Sequence, residues 1–301
     1  MLNIGIFLKS ANDARFEKAL KFFADGIKTT GDNPILYDTE NYENCDISVF
    51  FGSWKNRDKV HHKVRNEIIL NSKNFICLET PLIGRCEVKD IMEDDSFRIG
   101  INGYLRDSGK FYKNNFSSER WELLKKKFNI DLLPWNNLDE TAPILLALQI
   151  PGDASLRGCN ISEWAYIKCL EIRTVSKRNI IIRTPQLDRK YEKKWIDKLK
   201  NIENVYFQKG TKENLIPTLK MSHCSVTYTS GLAVDSLING CPTIACNSGN
   251  FCFDVCSNNV TDVEELKEFD RSQWIHNLSY CQWDLEEIKN GKAWKHLRNL
   301  L

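Results

Sequence analysis

The sequence predicts an α/β chain built from two doubly wound domains, on three observations. Short apolar runs alternate with amphipathic stretches in two separate series. A polar segment at residues 134–143, with a proline at each end, divides the series. The length of 301 residues suits two domains of ordinary size. The expected domains are residues 1–140 and 141–301, the second carrying a helical tail.

The first series opens with an alternating or fully buried strand at residues 2–8 and a helix over 13–25, whose apolar side carries Phe16, Leu20 and Phe23. Residues 35–37, 47–51 and 75–78 read as further strands, with a basic helix between the last two. Residues 80–133 are less regular and suggest long loops, then a helix at 119–128. The second series runs strand 144–149, helix 161–176, strand 179–183, basic helix 189–200, strand 205–207 and helix 212–221. Residues 224–246 then supply a strand, a Thr229-Ser230-Gly231 turn, a helix and a closing strand. Gly240 is placed for a left-handed helix cap, and Pro242 stops the helix continuing. The tail, 273–301, reads as helical and carries Trp274, Trp283 and Trp294.

Composition bounds the function. A net charge of +2 excludes a strongly basic nucleic-acid protein, though not a local basic groove. No apolar run reaches membrane-span length, and the start lacks a signal-peptide profile, so a cytoplasmic protein without a membrane partner is expected. The 11 cysteines are scattered without paired metal-binding spacing. They read as buried reduced thiols, and no structural metal is expected.

Three strand ends of the second series carry polar chemistry. Gln149-Ile150-Pro151-Gly152-Asp153-Ala154-Ser155-Leu156-Arg157-Gly158 follows its first strand, and Arg183-Thr184-Pro185 ends the next. Thr229-Ser230-Gly231 lies between a strand and a helix, where free backbone N–H groups favour an anion and a glycine lets it come close. In open α/β sheets such carboxyl ends line the ligand crevice.

With Asp235, Gly240-Cys241-Pro242 and the tail segments Trp274-Ile275-His276 and Gln282-Trp283, these stretches resemble the capsule-polysaccharide family of bacterial glycosyltransferases. These are the Kdo transferases of capsule export, which have the GT-B fold of two Rossmann-like domains facing across a cleft. The resemblance covers mainly residues 144–301. In the first half, Phe51-Gly52-Ser53-Trp54-Lys55 and Leu78-Glu79-Thr80-Pro81 look like phage-borne relatives that glycosylate modified bases such as hydroxymethylcytosine. The resemblance implies a glycosyltransferase, placed in the host cytoplasm if phage-encoded, that uses a nucleotide sugar and no other cofactor. Its implied acceptor is the hydroxymethyl group of modified cytosine in double-stranded DNA. The alternatives are a capsular or lipid-linked glycan acceptor, and a non-catalytic sugar-nucleotide or DNA-binding module. Where capsule enzymes show His-Pro, this chain has Thr184-Pro185. Arg183 in front of it suits a nucleoside-diphosphate donor, such as the UDP form of arabinose or glucose.

Sugar transfer needs a carboxylate near the anomeric carbon and a stabilised leaving phosphate. Asp153 is the first candidate carboxylate, the alternative being an aspartate that organises its own loop. Glu79 is the second, the alternative being a carboxylate paired with Arg85. Ser155, Arg157, Arg183, Thr229, Ser230, Gly231 and Asp235 are the expected donor ligands. Gly52, Ser53, Trp54, Lys55, Arg57, Lys59, Lys63 and Arg85 form the expected acceptor site. There a basic run beside an aromatic would track phosphates and stack a base; a solvated helix face is the alternative.

Overall fold

The computed structural model describes residues 1–55, 58–87, 95–185 and 190–301. Its elements in chain order are β1 (Asn3–Phe7), α1 (Ala14–Lys28), β2 (Asn33–Tyr37), β3 (Ile47–Phe51), α2 (Val60–Asn71), β4 (Phe75–Glu79), β5 (Ser96–Ile101) and α3 (Glu119–Phe128). Then follow β6 (Ile144–Ala147), α4 (Ile161–Arg173), β7 (Ile180–Thr184), α5 (Lys193–Lys200), β8 (Val205–Lys209), α6 (Lys212–Met221), β9 (Cys224–Thr227), α7 (Leu232–Ile238) and β10 (Thr243–Ala245). The chain closes with α8 (Ser272–Ser279), β11 (Gln282–Asp284), α9 (Leu285–Lys289) and α10 (Lys292–Arg298). Two compact units result: Met1–Leu123 with Ile275–Leu301, and Leu124–Trp274.

The first unit holds a six-stranded sheet of order β11-β5-β4-β3-β1-β2. Strands β2, β1, β3 and β4 are parallel, whereas β5 runs antiparallel to β4 and β11 antiparallel to β5. All residues of β3 and β5 are buried, as fits strands covered on both faces. Helix α1 begins at Asp13, whose carboxylate accepts the Phe16 N–H. From there Leu20, Phe23, Ala24 and Ile27 recur at helical spacing and bury against the sheet. The strands β5 and β11 are absent from the sequence reading, because loops and a helical tail were expected there. Their pairing is antiparallel and long-range (Gln282 opposite Arg98), and three-residue β11 is too short to show a period.

The tail is part of this first unit. Trp283, Ile288, Trp294 and Leu297 lie in one apolar cluster with Leu20, Phe23 and Ile76. The Trp294 indole donates to Asp32 at 3.1 Å, and Arg298 pairs with the same carboxylate at 2.6 Å.

The second unit is a five-stranded, wholly parallel sheet of order β10-β9-β6-β7-β8. Its core joins Ile144, Leu146, Ile180, Ile182 and Val226 to Trp164, Ala165 and Cys169 of α4. The proline-bounded segment at 134–143 packs on this unit. The Leu133 and Asn136 N–H groups donate to Ile238 and Gly240 carbonyls at 2.9 and 2.7 Å, and the Arg271 guanidinium sits 3.6 Å over the Trp135 ring. Gly240 takes the expected left-handed cap at φ +77°, and an added Cβ would lie 1.9 Å from the Pro134 carbonyl oxygen.

Candidate functional site

Strand order locates the crevice of the second unit. Its strands lie in chain sequence third, second, first, fourth, fifth, so the order reverses between β6 and β9. At that point the connections leave on opposite sides and open a crevice beyond the carboxyl ends. The segments that follow β6 and β9 are those carrying Gln149, Asp153, Ser155 and Thr229.

These residues are joined by one hydrogen-bond network. The Thr229 N–H donates to Gln149 Oε1 at 2.9 Å. Gln149 Nε2 donates to Ser155 Oγ and to Thr229 Oγ1, each at 3.0 Å. The Ser155 N–H and hydroxyl both donate to Asp153 Oδ1, at 2.9 and 2.7 Å. The Thr229 hydroxyl donates onward to the Ser155 carbonyl at 3.0 Å, and Tyr191 donates its hydroxyl to the Gln149 carbonyl at 3.2 Å. Asp153 thus organises its loop through one oxygen, as the alternative reading held. Among the described residues its second oxygen, Oδ2, has no hydrogen-bond partner.

The Thr229-Ser230-Gly231 turn satisfies part of itself. Ser230 Oγ accepts the Leu232 N–H at 3.2 Å, and Thr229 is buried. Among the described residues the Ser230 and Gly231 N–H groups have no partner. Gly231 sits at φ −61°, so its backbone does not demand glycine. Asp235 is buried within seven-residue α7, and its charge adds to the burial that pushes the Cys252 thiol far up.

Arg183 is engaged within the protein. Its side chain is buried. The guanidinium donates to Gln208 Oε1 at 3.2 Å, Asn214 Oδ1 at 2.5 Å and the Thr211 carbonyl at 2.5 Å. Thr211 and Asn214 form the capping box of α6, so Arg183 ties β7 to the start of that helix. These three acceptors occupy the guanidinium on which the expected phosphate contact was placed. Arg157, by contrast, is exposed at the left-handed position (φ 52°) that ends the Asp153 loop.

Sequence reasoning missed the loop after β10. Asn250 is 1% exposed and donates to Thr227 Oγ1 at 3.0 Å, fastening this loop to the end of β9. Burial pushes the Tyr228 phenol up, as does the neighbouring Cys159. The signal was an Asn-Ser-Gly-Asn string directly after a strand, which favours Asx turns at a carboxyl end.

In the first unit the chain-order reversal falls between β1 and β3, and Arg65 of α2 fills that point. It is 5% exposed. Its Nε and Nη2 donate to the Ser10 carbonyl at 3.1 and 2.7 Å, and Nη1 to the Ser53 carbonyl at 2.8 Å. Gly52 makes room: at φ +90°, an added Cβ would sit 2.6 Å from Arg65 Nη2. Glu79 accepts the Ser53 N–H at 3.1 Å and the Thr80 N–H at 3.0 Å. Its ionic partner is buried Arg98 at 3.8 Å, reached through the Glu79–Arg98 register; Arg85 lies half-buried in the turn beyond β4.

Among the described residues the expected acceptor side chains lie in different environments. Trp54 is packed edge-on against Phe50, Phe75 and Tyr104. Lys59, just before α2, and Lys63 on it are exposed, Lys55 is half-buried, and Arg57 lies outside the described residues. With Arg65 turned inward, the run is closer to an ordinary solvated helix face than to a groove for a backbone.

All eleven cysteines are free, and burial pushes Cys241 and Cys246 up to about 12, which leaves them unreactive thiols. Among the described residues no group of three or more His, Cys, Asp or Glu side chains is placed to hold a metal ion. Among the described residues no helix is long and apolar enough to cross a membrane.

No family model matches the chain, and no curated protein matches it by sequence. Solved structures do resemble it in fold. The β-Kdo 2,4 transferase of Thermosulfurimonas dismutans KpsC superposes with a TM-score of 0.56 at 14% identity, over 92% of this chain and 89% of that one. The β-Kdo 2,7 transferase of the same protein gives 0.52 at 12% identity, over 97% and 98%. At such identity the likeness is one of fold.

Proposed function

We propose that the chain is a nucleotide-sugar-dependent glycosyltransferase whose donor occupies the carboxyl edge of the second unit, and whose acceptor is a capsular or lipid-linked glycan. The observation that carries this reading is the convergence on Gln149 of the segments following β6 and β9, at the point where strand order reverses. In this reading Asp153 supplies the carboxylate through Oδ2, as base on the acceptor hydroxyl or as nucleophile at the anomeric carbon. The Ser230 and Gly231 N–H groups and Arg157 receive the leaving phosphate. Glu79, held by Arg98 and Ser53, is the carboxylate of the acceptor-binding unit. The fold shared with two Kdo transferases supports the same class of chemistry.

A glycan is favoured over DNA because the residue expected to stack a base, Trp54, is packed among three other rings. The test is incubation of the protein with CMP-Kdo, UDP-GlcNAc and UDP-glucose. Each is offered with a Kdo-ended oligosaccharide or with duplex DNA bearing hydroxymethylcytosine, and products are read by mass spectrometry. Transfer to the oligosaccharide is expected. Transfer to DNA alone would reverse the choice of acceptor, and calorimetry showing no affinity for CMP or UDP would remove the donor site.

A further inference from the structure

The polarity of the network at the end of β6 is determined by one backbone group. The Thr229 N–H can only donate, so the Gln149 atom 2.9 Å away is the amide oxygen. Gln149 Nε2 therefore faces Ser155 Oγ and Thr229 Oγ1 as a donor. Each hydroxyl, accepting from that amide, directs its own proton elsewhere. Ser155 directs its proton to Asp153 Oδ1 at 2.7 Å, and Thr229 to the Ser155 carbonyl at 3.0 Å. Asp153 Oδ1 is occupied twice, and Oδ2 is the edge left to a ligand. Reversing the amide would place Nε2 against the Thr229 N–H and turn the Ser155 hydroxyl away from Asp153.

We propose that Gln149 is a positioning residue: its amide couples the Thr229 turn to the Asp153 loop and, through the Ser155 hydroxyl, sets which oxygen of Asp153 is presented. The inference rests on the donor-site reading above and adds to it a residue with no direct contact to the reacting atoms. A carboxylate that turns by an ångström loses alignment with the anomeric carbon while the nucleotide contacts stay in place. The loss then falls on turnover rather than on donor binding.

Gln149→Glu separates coupling from polarity. The new carboxylate still accepts the Thr229 N–H but has no proton for Ser155, whose hydroxyl then turns towards it and releases Asp153. Gln149→Ala removes both functions. Kinetics use whichever of CMP-Kdo, UDP-GlcNAc and UDP-glucose the wild type consumes, followed by released CMP or UDP. Both variants, and Ser155→Ala, are expected to lower kcat by about ten- to a hundredfold with donor KM within about threefold. Gln149→Glu combined with Ser155→Ala should lose little more than either alone, since both act on one bond. Amide hydrogen exchange reads the coupling without any substrate. Thr229 and Ser155 N–H exchange should quicken on the order of tenfold or more in Gln149→Ala. Thr229 should stay protected in Gln149→Glu, and Val226 should be unchanged in both.

Wild-type kcat in Gln149→Glu, a loss confined to KM, or unaltered Thr229 exchange in Gln149→Ala would each overturn the proposal. A wild type that consumes none of the three donors counts against the enzymatic reading, and the exchange result still decides whether Gln149 couples the two segments. Asp153→Asn with undiminished turnover likewise removes the catalytic assignment of Asp153 without touching that coupling.

Discussion

Arg183 enters β7 carrying a full charge, and the fold surrounds its guanidinium with two side-chain amide oxygens and a backbone carbonyl. Charged hydrogen bonds inside a protein are strong because the alternative is an unsatisfied buried group. Arg183→Met should therefore lower stability by about 2–3 kcal/mol in a urea titration. Affinity for CMP and UDP should be nearly unchanged in the folded fraction, as measured by calorimetry; a large loss of affinity would return Arg183 to the donor site. Asp153 behaves the other way. Asp153→Asn keeps an oxygen to accept from Ser155 but removes the charge, so turnover should fall by about 10²–10⁴-fold with donor binding retained. Near-normal turnover would move the role elsewhere.

Among the elements, the C-terminal helix α10 does the work of a core element despite its position at the chain end. Trp294 is wholly buried, edge-on to Phe23 at 6.2 Å. Trp294→Ala should cost about 3–5 kcal/mol, seen as an earlier first transition in denaturant, because the first unit loses a large buried ring. The Arg298 guanidinium and the Leu2 N–H both donate to Asp32, as does the Trp294 indole, and together they hold its carboxyl below the usual 3.8 against the opposing effect of burial. A depressed folded value means stability fully present above the unfolded value of about 4. That stability is lost as pH falls through the lower folded value. Urea midpoints measured between pH 6 and 2.5 should fall at the acid end, and Asp32→Asn should flatten the fall. A midpoint curve identical in the variant would show that the tie contributes nothing.

At the scale of the whole molecule, the chain passes into the second unit within α3 and returns within α8, so the first unit is discontinuous in sequence. The last strand of its sheet, β11, comes from the returning segment. Ending the chain after Trp274 would remove β11, α9 and α10, exposing β5 as an edge and opening the cluster around Phe23. The second unit keeps its five strands, all of which precede the cut. The shortened protein should give native amide dispersion for the second unit and collapsed signals for the first in a heteronuclear spectrum. Dispersed signals from β1 and β3 would contradict that dependence.

Periodicity and turn chemistry were enough to reveal both α/β series, the Gly240 cap and the strand ends that carry Asp153 and Thr229, because these signals are local. The fold likeness to two Kdo transferases agrees with the fold that those same stretches imply. What lies beyond local reach needed the tertiary structure. Whether an arginine faces a ligand or the interior depends on oxygens supplied far along the chain: Arg183 meets Asn214, and Arg65 meets Ser10. The tail reads as helices by composition, yet its membership of the first unit follows from a three-residue strand and one tryptophan whose partners lie more than 180 positions earlier. Gln149 looks like any polar residue at a strand end until Thr229, 80 positions on, orients its amide. Hydrogen-bond polarity is a property of the assembled network, and a sequence lists its members without their orientation.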